Sequence, residues 1–318
     1  MTETTATVFE LHEIRKTKKQ KGDFVAYVTS IAEREGYAVR TEKGAMGARN
    51  IIVGSPDGAD VVYTAHYDTC ARMPFPNFIT PKNVGIYLLY QLLITALIYL
   101  PVFAAVYLSY LVCAFAGASE SVALWVGELV FFATVILMLW LLMAGPANKH
   151  TANDNTSGVT TLLDIMCALP NEQKGKVAFI FFDLEEMGLF GSKGFANQHK
   201  QIMKDKLLIN FDCVSDGDHM LFVLKKGALP YAEAIERAFA GNEAYTVEVA
   251  SKGVFYPSDQ ANFACGVGVA ALNKTKRGSL LYMDRIHTKH DTVYNERNIE
   301  FLVQGAVRLA CEMKKTQA

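Results

Sequence analysis

A chain of 318 residues, 51% of them hydrophobic, has more than enough apolar side chain for one large core or two small ones. Its formal net charge of −1 gives no reason to expect nucleic acid as a partner. Six widely spaced cysteines with no C-x-x-C pair suggest neither a disulfide framework nor a thiolate zinc site, and fit a reducing compartment.

The first ten residues, Met1 to Glu10, lack the apolar core of a secretory signal, so any membrane insertion must be directed by later segments. The basic run Arg15-Lys16-Thr17-Lys18-Lys19-Gln20-Lys21 reads equally as the solvated start of a helix or as a contact for anionic lipid headgroups. Phe24, Tyr27, Val28 and Ile31 then recur at helical spacing and predict an amphipathic helix. Strands are expected near Ala38 to Thr41, Asn50 to Val53 and Ala59 to Thr64, with a Pro-Asp-Gly turn at Ser55 to Gly58. The third of them delivers His66 and Asp68 at its carboxyl end.

No charge occurs between Lys82 and Glu120, and from there to Lys149 the only further charge is Glu128. Two apolar segments fill this stretch, about Val84 to Ala116 and Val122 to Ala144, around the small turn Gly117 to Ser121. Each reaches the roughly 20 residues that cross a bilayer, and neither keeps a polar face for water. Pro101 is tolerable as a kink in a lipid-embedded helix, and Glu128 is an intramembrane acid whose role stays open. The prediction is a transmembrane hairpin at 84–146, rather than a buried hairpin, lid or dimerisation arm. It interrupts one discontinuous domain made of residues 1–83 and 147–318. Lys82, Lys149 and the basic run lie on the domain side and only Glu120 lies in the turn. The positive-inside rule therefore expects a multi-pass protein of the cell membrane with its domain in the cytoplasm.

Beyond the insertion, Asn153 to Val159 leads into a helix near Gly158 to Leu169, stopped by Pro170. The apolar run Val177 to Asp183 precedes Glu185 and Glu186, and Leu207 to Phe211 precedes Asp212. A helix near Pro230 to Ala240, strands near Tyr245 to Ala250 and Gly268 to Leu272, and a final helix from about Glu296 to Lys314 complete the pattern. Such alternation predicts a three-layer α/β/α domain with a mixed central sheet.

His66, Asp154, Glu186, Asp212 and His287 supply imidazoles and carboxylates in the number that a pair of hydrolytic zinc ions requires. Glu185 is a spare carboxylate, able to take the proton of an attacking water. The strings that carry these groups are Ala65-His66-Tyr67-Asp68-Thr69, Asn153-Asp154-Asn155-Thr156-Ser157-Gly158, Asp183 to Ser192, Asn210-Phe211-Asp212, Ser258-Asp259 and His287-Thr288-Lys289-His290-Asp291-Thr292. At these strings the chain resembles the co-catalytic zinc aminopeptidases of metallopeptidase family 28, and the resemblance covers nearly everything outside the apolar insertion.

The resemblance implies that His66 and Asp212 bind one zinc, Glu186 and His287 the other, and that Asp154 bridges them. It makes Asp68 the residue that orients His66 and Glu185 the general base. It selects His287 over His290 as ligand. It also implies a tyrosine that stabilises the oxyanion; Tyr256 is the nearest candidate, one position beyond the expected place, which Phe255 occupies. His12, His150, His199 and His219 fall outside every motif. The implied activity is exopeptidase cleavage at a free N-terminal amine of a peptide or small amide, with two zinc ions, although such donors accept manganese or cobalt as well.

Related single-zinc glutaminyl cyclases and non-catalytic receptor-like proteins are disfavoured by the presence of all five ligands and the base. The sequence also fits two alternatives. One is a hydrolase of lipophilic N-acyl amino acids or membrane-derived peptides, because the insertion joins the His66 strand to Asp154. The other is a non-catalytic zinc-binding membrane scaffold. The preferred N-terminal residue and the oligomeric state are not written in the sequence.

Overall fold

A computed structural model describes residues 1–241, 243–278 and 280–316. Its strands are β1 (Val39–Lys43), β2 (Arg49–Val53), β3 (Val61–His66), β4 (Val177–Phe182), β5 (Leu207–Phe211), β6 (His219–Leu224), β7 (Thr246–Ala250), β8 (Gly266–Lys274) and β9 (Leu281–Tyr282). Its helices are α1 (Glu3–Leu11), α2 (Lys18–Arg34), α3 (Val84–Phe115), α4 (Glu120–Ala144), α5 (Gly158–Ala168), α6 (Asn171–Lys174), α7 (Phe190–Gln198), α8 (Lys200–Met203), α9 (Ala232–Ala238) and α10 (Glu296–Thr316).

The apolar runs β3, β4 and β5 are buried along their whole length, as strands covered on both faces must be. They form the parallel centre of a mixed sheet ordered β1-β2-β4-β3-β5-β8-β6-β7, with β9 beside β8. Antiparallel neighbours flank that centre, β2 on β4 and β6 on β8. Successive side chains sort to opposite faces. Val61, Tyr63, Phe179, Phe181 and Ile209 pack with Phe24, Leu162 and Leu302 of α2, α5 and α10. Val62, Ile180, Phe182 and Leu208 pack with Phe195 and Met203 of α7 and α8. The result is the expected α/β/α sandwich, in which each fully buried large apolar side chain contributes about 1.5–3 kcal/mol relative to exposure.

Strands from both sides of α3 and α4 share this one sheet. The two helices are 32 and 25 residues long, about 48 and 38 Å at ~1.5 Å per residue, so both are long and apolar enough to cross a membrane. Only 6% and 11% of their most apolar windows are buried. Asn83 caps α3 by accepting from the Ile86 N–H at 3.0 Å. Ser119 caps α4, so the expected turn is shorter by Glu120 and Ser121. The helices meet closely at Gly127, where an added Cβ would lie 3.1 Å from the Tyr110 ring.

The legs of the hairpin are zipped together at its base. Arg72 N–H donates to Pro146 O at 2.8 Å, Asn148 N–H donates to Cys70 O at 3.1 Å, and Ala71 and Ala147 form an antiparallel bridge. On the other side of the base, the Tyr90 hydroxyl donates to Pro76 O at 2.7 Å. The Tyr90 ring lies 5.2 Å from that of Phe78, and Tyr87 lies 5.6 Å from Phe255.

The basic run divides rather than lying on one solvated or headgroup-facing surface. Arg15 is fully buried, Lys16 donates to Met143 O at 3.0 Å at the end of α4, and Lys21 pairs with Asp183 at 2.5 Å. Only the segment from Thr17 onward behaves as a helix start, with a Thr17/Gln20 capping box.

Candidate metal centre

Parallel strands in an open α/β sheet gather functional groups beyond their carboxyl ends. His66 is the last residue of β3, Glu185 and Glu186 lie in the turn after β4, and Asp212 follows β5. Asp154 comes from the segment Ala152–Ser157 ahead of α5, and His287 from the stretch between β9 and α10.

All five converge. His66 Nε2 lies 3.3 Å from Asp154 Oδ1 and 3.5 Å from Asp212 Oδ1. His287 Nε2 lies 3.0 Å from Asp154 Oδ2 and 3.2 Å from Glu186 Oε2. The Asp154 carboxylate thus turns one oxygen to each histidine. Imidazole nitrogens and carboxylate oxygens are the donors that zinc takes at about 2.0–2.2 Å. Glu186 Oε1 is buried with no hydrogen-bond partner, which is costly for a protein group alone. The donor set and this orphaned oxygen both fit a cation.

The protein's own charges tell the same story. Burial, aided by neighbouring acids, raises the pKa values of Glu185 and Glu186 well above the ordinary carboxylate range. Burial and the Asp154 charge push Asp291 up to about 8. Burial opposes a charge on His287, yet Glu186 and Asp154 outweigh it and raise its pKa to about 9. In the same way Glu185, Asp154 and Asp212 outweigh burial at His66. Burial also opposes the Asp154 carboxylate, but His287 and His66 prevail and hold its pKa below the usual range. The cluster is short of positive charge.

Further side chains fix the donors in place. Asp291 accepts from Asn153 N–H at 2.8 Å and from Asp154 N–H at 3.0 Å. Asn155 accepts from the Gly158 and Cys213 N–H groups and donates to Phe211 O at 3.1 Å, tying the Asp154 segment to the Asp212 turn. Arg15 donates to Tyr67 O and His12 O at 2.6 Å each, and to Thr156 Oγ1 at 3.2 Å, so one guanidinium spans the stretches that carry His66 and Asp154. Leu184, Cys213 and His287 take left-handed φ values of 56°, 56° and 65°. Such positions in non-glycine residues are strained and gather at functional sites.

Asp68 is placed differently from the expectation. Its carboxylate oxygens accept from the Glu185 and Glu186 N–H groups at 3.0 and 3.2 Å. The nearer oxygen is 3.6 Å from His66 Nδ1, beyond hydrogen-bond reach, and it is the Asp68 backbone carbonyl that meets that nitrogen at 3.1 Å. The acid holds the glutamate turn while its main chain orients the imidazole.

A cavity of about 280 Å³ opens on the cluster, lined by the five candidate ligands and Glu185 together with Asn77, Ile79, Tyr256 and Ile286. Tyr256 is buried in its wall, donating to Asp212 O at 2.9 Å, whereas Phe255 is exposed. The structure therefore sets the phenol, not Phe255, at the cavity. His290 is exposed and outside the cluster. His199 and His219 pair with Glu42 at 2.7 Å and Glu248 at 3.1 Å, and His12 stacks on Tyr27. In the sequence Arg15 is marked only by its place in the basic run, and Asp291 only by its place in the His287 string.

The family model described as peptidase family M28 matches residues 140–303 of the chain. No curated protein matches it. Among solved structures, the LapA aminopeptidase of Legionella pneumophila aligns over 98% of this chain and 68% of its own at 14% identity, with a TM-score of 0.56. A glutaminyl cyclase of Porphyromonas gingivalis aligns over 98% and 97% at 15% identity, with a TM-score of 0.57. A Zn-dependent exopeptidase of Parabacteroides distasonis aligns over 96% and 95% at 15% identity, with a TM-score of 0.56. At such identities these likenesses establish a shared fold.

Proposed function

The chain belongs to peptidase family M28, whose model covers more than half of it, and from that premise we propose a membrane-anchored aminopeptidase that works with two zinc ions. One observation carries the two-ion reading: the Asp154 carboxylate lies between His66 and His287, with a separate oxygen toward each. His66 and Asp212 would hold one ion, Glu186 and His287 the other, and Asp154 both. The chemistry supplied by bound zinc is Lewis acidity, which polarises a carbonyl and lowers the pKa of water.

The remaining work falls to the chain. Glu185 lines the cavity beside the candidate ligands, and a carboxylate so placed suits a general base that accepts a proton from the attacking water and returns it to the departing amine. Asp68 keeps that carboxylate in place by holding the Glu185 and Glu186 amides. Tyr256 has one hydroxyl hydrogen, committed to Asp212 O; service to an oxyanion would require giving up that bond.

The test is purified protein assayed on a panel of aminoacyl chromogenic amides and on a peptide with N-terminal glutamine. Wild type should release the amine. Glu185→Gln should keep its zinc and lose about 10²–10⁴-fold in kcat. Full activity in that variant would refute the mechanism, and ring closure of the glutaminyl peptide without amide hydrolysis would identify a cyclase.

A second reading, action on lipophilic amides, has one observation in its favour. The short stretch 76–79 both holds the base of α3, through Pro76 and Phe78, and lines the cavity, through Asn77 and Ile79.

A further inference from the structure

We propose that Cys70 is a fourth protein donor on the Glu186/His287 side of the centre, beside the shared Asp154, so that a metal ion bound there carries a thiolate. The inference rests on the metal-centre reading above and adds a ligand to it. Cys70 Sγ, a carboxylate oxygen of Glu186 and a ring nitrogen of His287 all lie within 4.8 Å of one another. Zinc binds sulfur at about 2.3 Å and nitrogen or oxygen at about 2.0–2.2 Å, so at tetrahedral angles two donors of one ion stand about 3.3–3.7 Å apart. His287 Nε2 and Glu186 Oε2, at 3.2 Å, already stand at such a separation, and the thiol closes on them by about an ångström at most.

The placement of the thiol is built into the fold. Cys70 is 2% exposed, and its carbonyl accepts from Asn148 at the zipped base of the hairpin. The adjoining Ala71–Ala147 bridge fixes its direction. Facing it is the Glu186 side chain, 9% exposed, whose Oε1 is buried and unpartnered. A small apolar filler would leave that oxygen as it is; a metal shared by Cys70, Glu186 and His287 gives the pocket a reason for its polarity. A donor in a mixed sulfur, nitrogen and oxygen set needs no second cysteine nearby, which is why the absence of a C-x-x-C pair did not reveal it.

The two halves of the centre then differ in chemistry. His66, Asp154 and Asp212 offer only nitrogen and oxygen, whereas the Cys70 half has a soft ligand that favours zinc or cobalt over manganese. As the sulfur–metal bond forms, the S–H bond breaks and its proton passes to solvent.

The experiment replaces zinc by cobalt(II) in the full chain held in detergent and records absorption spectra of wild type, Cys70→Ser and, as a control, Cys265→Ser, whose thiol faces Lys204 O elsewhere in the fold. Wild type and Cys265→Ser should show a near-ultraviolet sulfur-to-cobalt charge-transfer band along with the visible cobalt bands; Cys70→Ser should keep only the latter. Since loss of an outer-shell partner already costs about 10–100-fold in metal affinity, Cys70→Ser should yield one of its two ions to a competing chelator at least about 10-fold more readily. Visible cobalt bands without charge transfer in wild type would overturn the thiolate and leave the metal centre standing. The same charge-transfer band in Cys70→Ser would overturn it too, and failure to bind cobalt at all would overturn both readings.

Discussion

Asp68 spends both carboxylate oxygens on the amides of Glu185 and Glu186, and that choice can be probed directly. Asp68→Asn keeps the shape but gives one amide a donor instead of an acceptor. A buried unsatisfied group costs about 1–3 kcal/mol, and loss of a partner behind metal ligands costs about 10–100-fold in metal affinity. Thermal denaturation and zinc titration of the variant should show both effects. Unchanged zinc affinity would mean that the glutamate turn holds itself.

A second residue-scale prediction concerns pH. In zinc-free protein the His287 pKa of about 9 stands above its ordinary 6.5. The stabilisation it brings is complete below about 6.5 and is lost as pH rises through about 9. Asp291, at about 8 instead of 3.8, keeps a proton that the unfolded chain has already released between those values. In both cases the native state binds more protons than the unfolded state, so stability falls with rising pH. Chelated protein should therefore lose thermal midpoint from about pH 5 to about pH 9, while zinc, which binds the deprotonated donors, reverses the trend. A chelated profile that is flat or rises would contradict the charge balance described above.

His66, Glu186 and Asp212 were legible in the sequence because each follows an apolar run, and a strand end is where a sheet offers ligands. Arg15, Cys70 and the amide contacts of Asp68 were not, because their partners come from distant parts of the chain and leave no periodic trace.

Among the elements, the two long helices were legible almost to the residue, since hydropathy alone sets their extent. α7 was missed: its sequence includes Gly191 and Gly194, which lower helix propensity by about 1 kcal/mol each. β6 was missed because its place depends on β8, against which Phe222 pairs with Val269.

The two long helices also differ usefully in length. α3 has 32 residues and α4 has 25, a difference of 7, or about 10 Å. Phe115 and Glu120 flank the same turn, so the surplus lies at the domain end, where Tyr87 and Tyr90 pack on Phe255 and Phe78. Replacing Val84–Ala144 by a flexible linker of about 12 residues should give protein that stays in solution without detergent and keeps its zinc. If the lipophilic-substrate reading holds, this variant loses activity on acylated amides and retains it on short peptides. Equal activity on both would leave the helices as an anchor alone.

For the molecule as a whole, β1 to β3 stand before the hairpin and the other strands after it, yet they make one sheet and one donor cluster. The sandwich was legible from the alternation of elements; the order of its outer strands was not, because it arises from pairing between remote segments. On the proposed topology, Lys82 and Lys149 lie beside the cytoplasmic leaflet and Glu120 on the far side. Protease added outside right-side-out vesicles should leave the domain whole, and the same protease on inverted vesicles should digest it. The opposite result would reverse the orientation.

The zipped base of the hairpin, with Cys70 to Arg72 paired to Pro146 to Asn148, leaves the donor cluster little freedom to swing relative to the two long helices. With those helices spanning a membrane as proposed, an enzyme so mounted would work at a set height above the lipid surface and travel only sideways. Its encounters would then follow the number of substrate ends per unit area near that surface, and turnover in a cell would answer to where peptides are released as much as to how many there are.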